Sequence, residues 1–216
     1  MSYCAVMFDL DGTLLDTLED LADAMNVALG QLGCPARPIE EFKLIVGDGV
    51  VVMAQRSLPE SRRDEATIAR CVALVREEYG KRWADKTHPY AGIPELLDAL
   101  AGRGIRMAVV SNKPDDFTRL CVGRLLPRWR FDAVIGVSPA TPPKPDPKGV
   151  LESAARLGLA PADFLYLGDT NTDMRTAVAA GMFPVGALWG FRSAEELLAS
   201  GAKVLIGKPG DLLPLL

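Results

Sequence analysis

Short apolar runs bounded by turn residues recur along the chain: Cys4–Phe8, Arg106–Val110, Ala133–Val137, Phe164–Leu167, Pro184–Leu188 and Lys203–Ile206. Runs of this length predict buried strands. Helical spacing separates most of them. Pro94 is followed by Leu96, Leu97, Leu100 and Ala101, a helix with proline in its first turn and Gly102 or Gly104 ending it. Asp146-Pro147 opens a second helix, with Val150, Ala154 and Leu157 on one face, and Asn171 to Ala180 forms a third. Strand–helix–strand alternation predicts an α/β fold with a doubly wound, Rossmann-like parallel sheet.

One region breaks the alternation. From Asp16 to about Lys86 there is no clear strand run. Leu18, Leu21, Met25, Ala28 and Leu32 repeat at three and four, as do Ile68, Val72, Val75 and Tyr79 further on. Asp16 with Glu19 three residues later has the form of a capping box. The expected organisation is a core of residues 1–15 and 87–216 interrupted by an all-helical insertion at 16–86.

Composition narrows the function classes. With 216 residues, 49% hydrophobic and 24% charged, the chain has the proportions of a globular protein with a full core. Its net charge of −4 lacks the basic balance of a general nucleic-acid binder. Seven basic residues between Arg103 and Arg130, Lys113 among them, have few aromatics interleaved and are expected on a solvated face. The single histidine, His88, precludes a multi-histidine zinc site and is expected as a hinge or surface residue. The four cysteines form no C-x-x-C pair, and the N-terminus has no basic segment ahead of its apolar run. Reduced thiols, a cytoplasmic location and no membrane span are therefore expected. Gly207-Lys208 lacks the serine or threonine and the spacing of a phosphate loop.

Candidate chemistry gathers at strand ends. Asp9-Leu10-Asp11-Gly12-Thr13 follows the first run. In extended chain Asp9 and Asp11 point the same way, towards the strand C-termini where open parallel sheets bind ligands. Two carboxylates this close call for a cation, unless they are solvated acids of a turn. Asp169 ends the strand Phe164–Leu167 and Asp173 lies one helical turn on; acids there also suit a helix N-terminus. Together the clusters suit a hard, oxygen-liganded cation such as Mg²⁺. Ser111-Asn112-Lys113 and Lys144-Pro145-Asp146-Pro147 follow other strands and offer hydroxyl, backbone N–H and ammonium groups for phosphoryl oxygens.

These four motifs, in this order, resemble those of the haloacid dehalogenase-like hydrolase superfamily, in the helical-cap group that includes the phosphoglycolate phosphatases. The match spans nearly the whole chain, and Ala179-Ala180-Gly181-Met182 and Trp189-Gly190 also resemble later segments of that group. The resemblance implies a Mg²⁺-dependent phosphatase acting on a small phosphomonoester. It makes Asp9 the nucleophile and Asp11 the general acid and base. Ser111 and Lys144 hold the phosphoryl oxygens, with Thr13 and Asn112 beside them. Asp9 and Asp169 become metal ligands, with the backbone carbonyl of Asp11, and Asp173 a ligand or a residue orienting water or Lys144. A halide leaves without a proton and an alkoxide does not, so Asp11 favours phosphate esters over dehalogenation. Gly47-Asp48-Gly49 is either a substrate-facing loop of the cap or a plain turn. A sugar-phosphate mutase shares the same core. A phosphorylation-switched binding module would use similar residues, but with its aspartate in mid-domain. The expected partner is a small phosphorylated metabolite, with no nucleic acid and no membrane, for a monomer or homodimer.

Overall fold

The computed structural model describes residues 3–216. Its strands are β1 (Ala5–Phe8), β2 (Leu15–Asp16), β3 (His88–Pro89), β4 (Arg106–Pro114), β5 (Ala133–Val137), β6 (Phe164–Gly168), β7 (Phe183–Ala187) and β8 (Val204–Ile206). Its α-helices are α1 (Leu18–Gln31), α2 (Ile39–Ile45), α3 (Val50–Ser57), α4 (Glu65–Arg82), α5 (Ile93–Gly102), α6 (Asp115–Leu125), α7 (Lys148–Leu157), α8 (Asn171–Ala180) and α9 (Ala194–Ala199). Six strands form a parallel sheet in the order β5-β4-β1-β6-β7-β8.

The sheet's two faces show why continuous apolar runs were needed. Val6 and Phe8 of β1 pack with Leu165 and Leu167 of β6 and with α5 on one side. Ala5 and Met7 pack with Phe164, Tyr166 and α7 on the other. Each strand residue thus contributes to one of two cores, in alternation. The register sets Phe8 beside Val109 of β4 and Leu167 of β6, so these three strands end side by side.

Helices α1 to α4 lie between β2 and β3 and have their own core, built on Leu21, Met25, Phe42, Met53, Val75 and Tyr79. Two differences from the sequence pattern arise at their base. Leu15–Asp16 and His88–Pro89 pair as a two-stranded antiparallel ribbon, too short to leave a periodic signal. Asp16 is therefore a strand residue and not the cap of α1. Thr17 holds that position without a side-chain cap bond, and Glu19 pairs with Lys86. Asp20 takes over a joining role: buried, it accepts from the backbone N–H groups of Lys86 and Thr87 and from the Thr87 hydroxyl. The four cysteines are free, and no helix among the described residues is long and apolar enough to cross a membrane.

Candidate active site

Three parallel strands deliver the site. Asp9 directly follows β1, Ser111 lies near the end of β4, and Asp169 directly follows β6. Asp173 stands in the first turn of α8, where it completes a capping box. Its Oδ2 accepts from the Thr170 N–H at 3.0 Å, while the Thr170 side chain accepts from the Asp173 N–H at 3.2 Å. Its other oxygen, Oδ1, faces Lys144 Nζ at 2.7 Å. One carboxylate oxygen thus caps the helix and the other faces Lys144.

Lys144 is the hub. Its ammonium donates to Asp9 Oδ1 at 2.7 Å, to Asp173 Oδ1 and to the Val110 carbonyl at 3.1 Å, with its side chain only 3% exposed. Burial disfavours the charged amine, but Asp173 and Asp9 outweigh it, so its pKa is held well above the usual lysine value. The Asn112 amide fixes the Lys144 backbone from both sides, accepting from its N–H at 2.6 Å and donating to its carbonyl at 3.1 Å.

Asp169 is held by donors of its own. Thr13 Oγ1 donates to it at 2.6 Å and the Phe191 N–H at 2.9 Å. Gly190 makes the close approach possible: a Cβ there would stand 2.3 Å from the Asp169 Cβ. Gly12, at φ +91, turns the chain after Asp11 against the same carboxylate.

Asp9, Asp169 and Asp173 each present a carboxylate oxygen within 4.8 Å of the others, and all three are buried. Among the described residues only the Lys144 ammonium pairs with them. Burial and the neighbouring Asp173 raise the Asp9 pKa well above its ordinary value, and the same two causes push Asp169 up to about 7. Crowded, desolvated, all-oxygen donors short of positive charge fit a divalent hard cation.

Asp11 faces elsewhere. Both its oxygens meet Lys113 Nζ, at 2.8 and 3.1 Å. Lys113 is buried and lies 4.6 Å from the centre of the Tyr79 ring. It is not on a solvated face, which corrects the expectation for this residue; β4 continues inward to Pro114 and carries it there. The only local signal was its place two residues after Ser111 in an extended chain.

Asp9, Asp11, Ser111, Asn112 and Lys113 open onto a cavity of about 100 Å³ beneath the inserted helices. Its opposite wall is apolar, made by Leu21, Val46, Val50, Met53, Val72 and Val75. Gly47 and Gly49 also border it. Asp48 does not face it: its carboxylate accepts from Thr172 Oγ1 at 2.5 Å and pairs with Arg56 at 2.6 Å. Asp48 ties the loop to α8 and α3. Asn112 Nδ2 donates to the Gly47 carbonyl at 3.0 Å. Arg192, buried beyond β7, donates to the carbonyls of Lys43 and Val46. Arg192 has no sequence pattern to mark it, and Tyr79 is marked only as the last position of a helical stripe, with nothing to signal its contact with Lys113.

The family model of haloacid dehalogenase-like hydrolases matches residues 6–187. The chain belongs to this family. A phosphoglycolate phosphatase of Pseudomonas putida is 33% identical over 97% of this chain and 78% of its own length. One of Nitrosospira multiformis is 35% identical over 89% of this chain and 86% of its own. A crystal structure from Lactobacillus delbrueckii subsp. bulgaricus, provisionally assigned as a phosphoglycolate phosphatase, superposes with a TM-score of 0.92 at 32% identity and covers 98% of this chain and 97% of that one. Family membership accounts for four motifs that lie far apart in sequence yet meet at the ends of β1, β4 and β6.

Proposed function

We propose that this protein is a Mg²⁺-dependent phosphatase that hydrolyses a small phosphomonoester, of the 2-phosphoglycolate kind, through an aspartyl-phosphate on Asp9. The observation that carries the reading is the buried trio of Asp9, Asp169 and Asp173 around Lys144, with Asp11 two residues from Asp9 on the cavity side. The named activity of the relatives supports it.

In this reading Asp9, Asp169 and the Asp11 backbone carbonyl hold Mg²⁺, with Asp173 beside them. The ion supplies positive charge that lets a carboxylate approach a phosphate dianion. An Asp9 carboxylate oxygen attacks phosphorus, and the bond from phosphorus to the ester oxygen breaks. Asp11 gives its proton to the departing alkoxide. Water then attacks the phosphorus of the aspartyl-phosphate, Asp11 takes a proton from it, and phosphate leaves with Asp9 restored. Ser111 and Lys144 steady the equatorial oxygens, where transition-state charge collects.

Residues 16–86 serve as a cap that shields this chemistry from water and limits substrate size. Free thiols suit a cytoplasmic protein.

The test is phosphate release from a panel of small phosphomonoesters, in Mg²⁺ and in EDTA, by the wild type and Asp9→Asn. Metal-dependent turnover that the variant lacks is expected. Wild-type turnover in EDTA, or turnover by the variant, would remove the mechanism.

A further inference from the structure

The two buried ammoniums of the site face different halves of it. Lys144 serves the carboxylate trio. Lys113, with a side chain 3% exposed, has Asp11 as its only acidic partner among the described residues and borders the cavity. An ammonium has three donors, and Asp11 occupies two directions. Beside Lys113 lies Tyr79 of α4, 3% exposed, whose hydroxyl has no hydrogen-bond partner among the described residues. A buried unpaired hydroxyl is costly and calls for an explanation.

The rest of the wall facing the inserted helices is apolar apart from Arg76. Arg76 sits at the rim, 51% exposed, pairs with Asp116 and stacks on Phe117 at 5.2 Å. A charged leaving group entering this half thus has one buried cation to meet. Asp11 is the group placed to protonate the ester oxygen, and Lys113 lies one hydrogen bond beyond it. An anionic group on the carbon attached to that oxygen falls within its reach.

We propose that Lys113, backed by Tyr79, is the specificity-determining residue for the leaving group and selects a carboxylate carried next to the ester carbon. Phosphates of neutral alcohols of the same size are then discriminated against. A carboxylate left without Lys113 would lie desolvated against Val72 and Val75, which is unfavourable. This inference rests on the phosphatase reading above.

The experiment compares 2-phosphoglycolate with its neutral isostere, the phosphate ester of glycolamide, and with p-nitrophenyl phosphate, all in Mg²⁺. The wild type is expected to prefer the acid to the amide in kcat/KM by roughly ten- to hundredfold, the worth of a charged hydrogen bond. Lys113→Met should erase most of that preference, chiefly through KM, and Lys113→Arg should restore part of it. Tyr79→Phe should reduce it in the same direction. If Lys113 only steadied Asp11, Lys113→Met would slow acid and amide alike, and that result overturns the proposal. Should Lys113→Met fail to fold, as judged by circular dichroism, the wild-type ratio still decides: an amide hydrolysed as well as the acid overturns it. Failure of all three phosphates with wild-type enzyme would count against the phosphatase reading itself.

Discussion

At the residue scale, the decisive feature is how few positive charges serve the buried acids. Lys144 touches both Asp9 and Asp173, so its removal leaves two desolvated carboxylates without a counter-charge. Lys144→Met is expected to lower stability by about 3–5 kcal/mol, the usual cost of breaking a buried ion pair from one side. Chemical denaturation without added metal would measure this, and a loss under about 1 kcal/mol would contradict the hub role. Asp11 yields a different expectation. If it is the general acid, Asp11→Asn should slow phosphoryl transfer from an alkyl phosphate far more than from p-nitrophenyl phosphate, whose leaving anion needs no proton. Equal slowing of the phosphorylation step for both would take the role from Asp11. Asp9, Asp11, Lys144, Asp169 and Asp173 were legible because each stands in a short motif after an apolar run. Lys113 and Tyr79 were not, because a helical stripe and a strand end, distant in sequence, make their contact only in three dimensions.

At the element scale, the same division holds. The runs at Ala133–Val137 and Phe164–Leu167, and the helix from Asn171 to Ala180, match the observed elements to within a residue. Length, turn residues and capping chemistry determine such elements locally. The ribbon of β2 with β3 left no signal because two residues cannot show a period. How the loop after α2 docks on the sheet was equally hidden. Its carbonyls receive Arg192, Asp48 receives Thr172, and Asn112 reaches Gly47. Arg192→Met leaves buried carbonyls unpaired and is expected to cost about 2–3 kcal/mol. Limited proteolysis should then cut first near Lys43, ahead of global unfolding; an unchanged cleavage pattern would mean that the loop is held without Arg192. On the other side of the site, Gly190→Ala drives a methyl group into Asp169. Mg²⁺ affinity, measured by calorimetry, should fall at least tenfold, and unaltered affinity would exclude Asp169 from the metal set.

At the scale of the whole molecule, two cores meet across a charged seam: one built on the sheet, the other on α1 to α4. That seam makes stability depend on pH in a direction that the site dictates. Asp169 is pushed from the ordinary carboxylate value of 3.8 up to about 7 in the folded protein, and Asp9 is raised as well. A carboxyl whose folded pKa lies above its unfolded value stabilises the fold fully below the unfolded pKa, and that contribution is lost as pH rises through the folded value. For Asp169 the window runs from about pH 4 to about pH 7. The metal-free protein should therefore lose the part of its stability that these groups supply as pH climbs across that window. A divalent cation held by these carboxylates would bind their ionised form and remove the cause of the loss, by the same linkage that makes any ligand of the native state stabilising. In thermal melts with EDTA and with Mg²⁺, the gap in Tm should widen from pH 5 to pH 8. A gap that is constant with pH, or largest at pH 5, would show that the cation does not bind at Asp9 and Asp169.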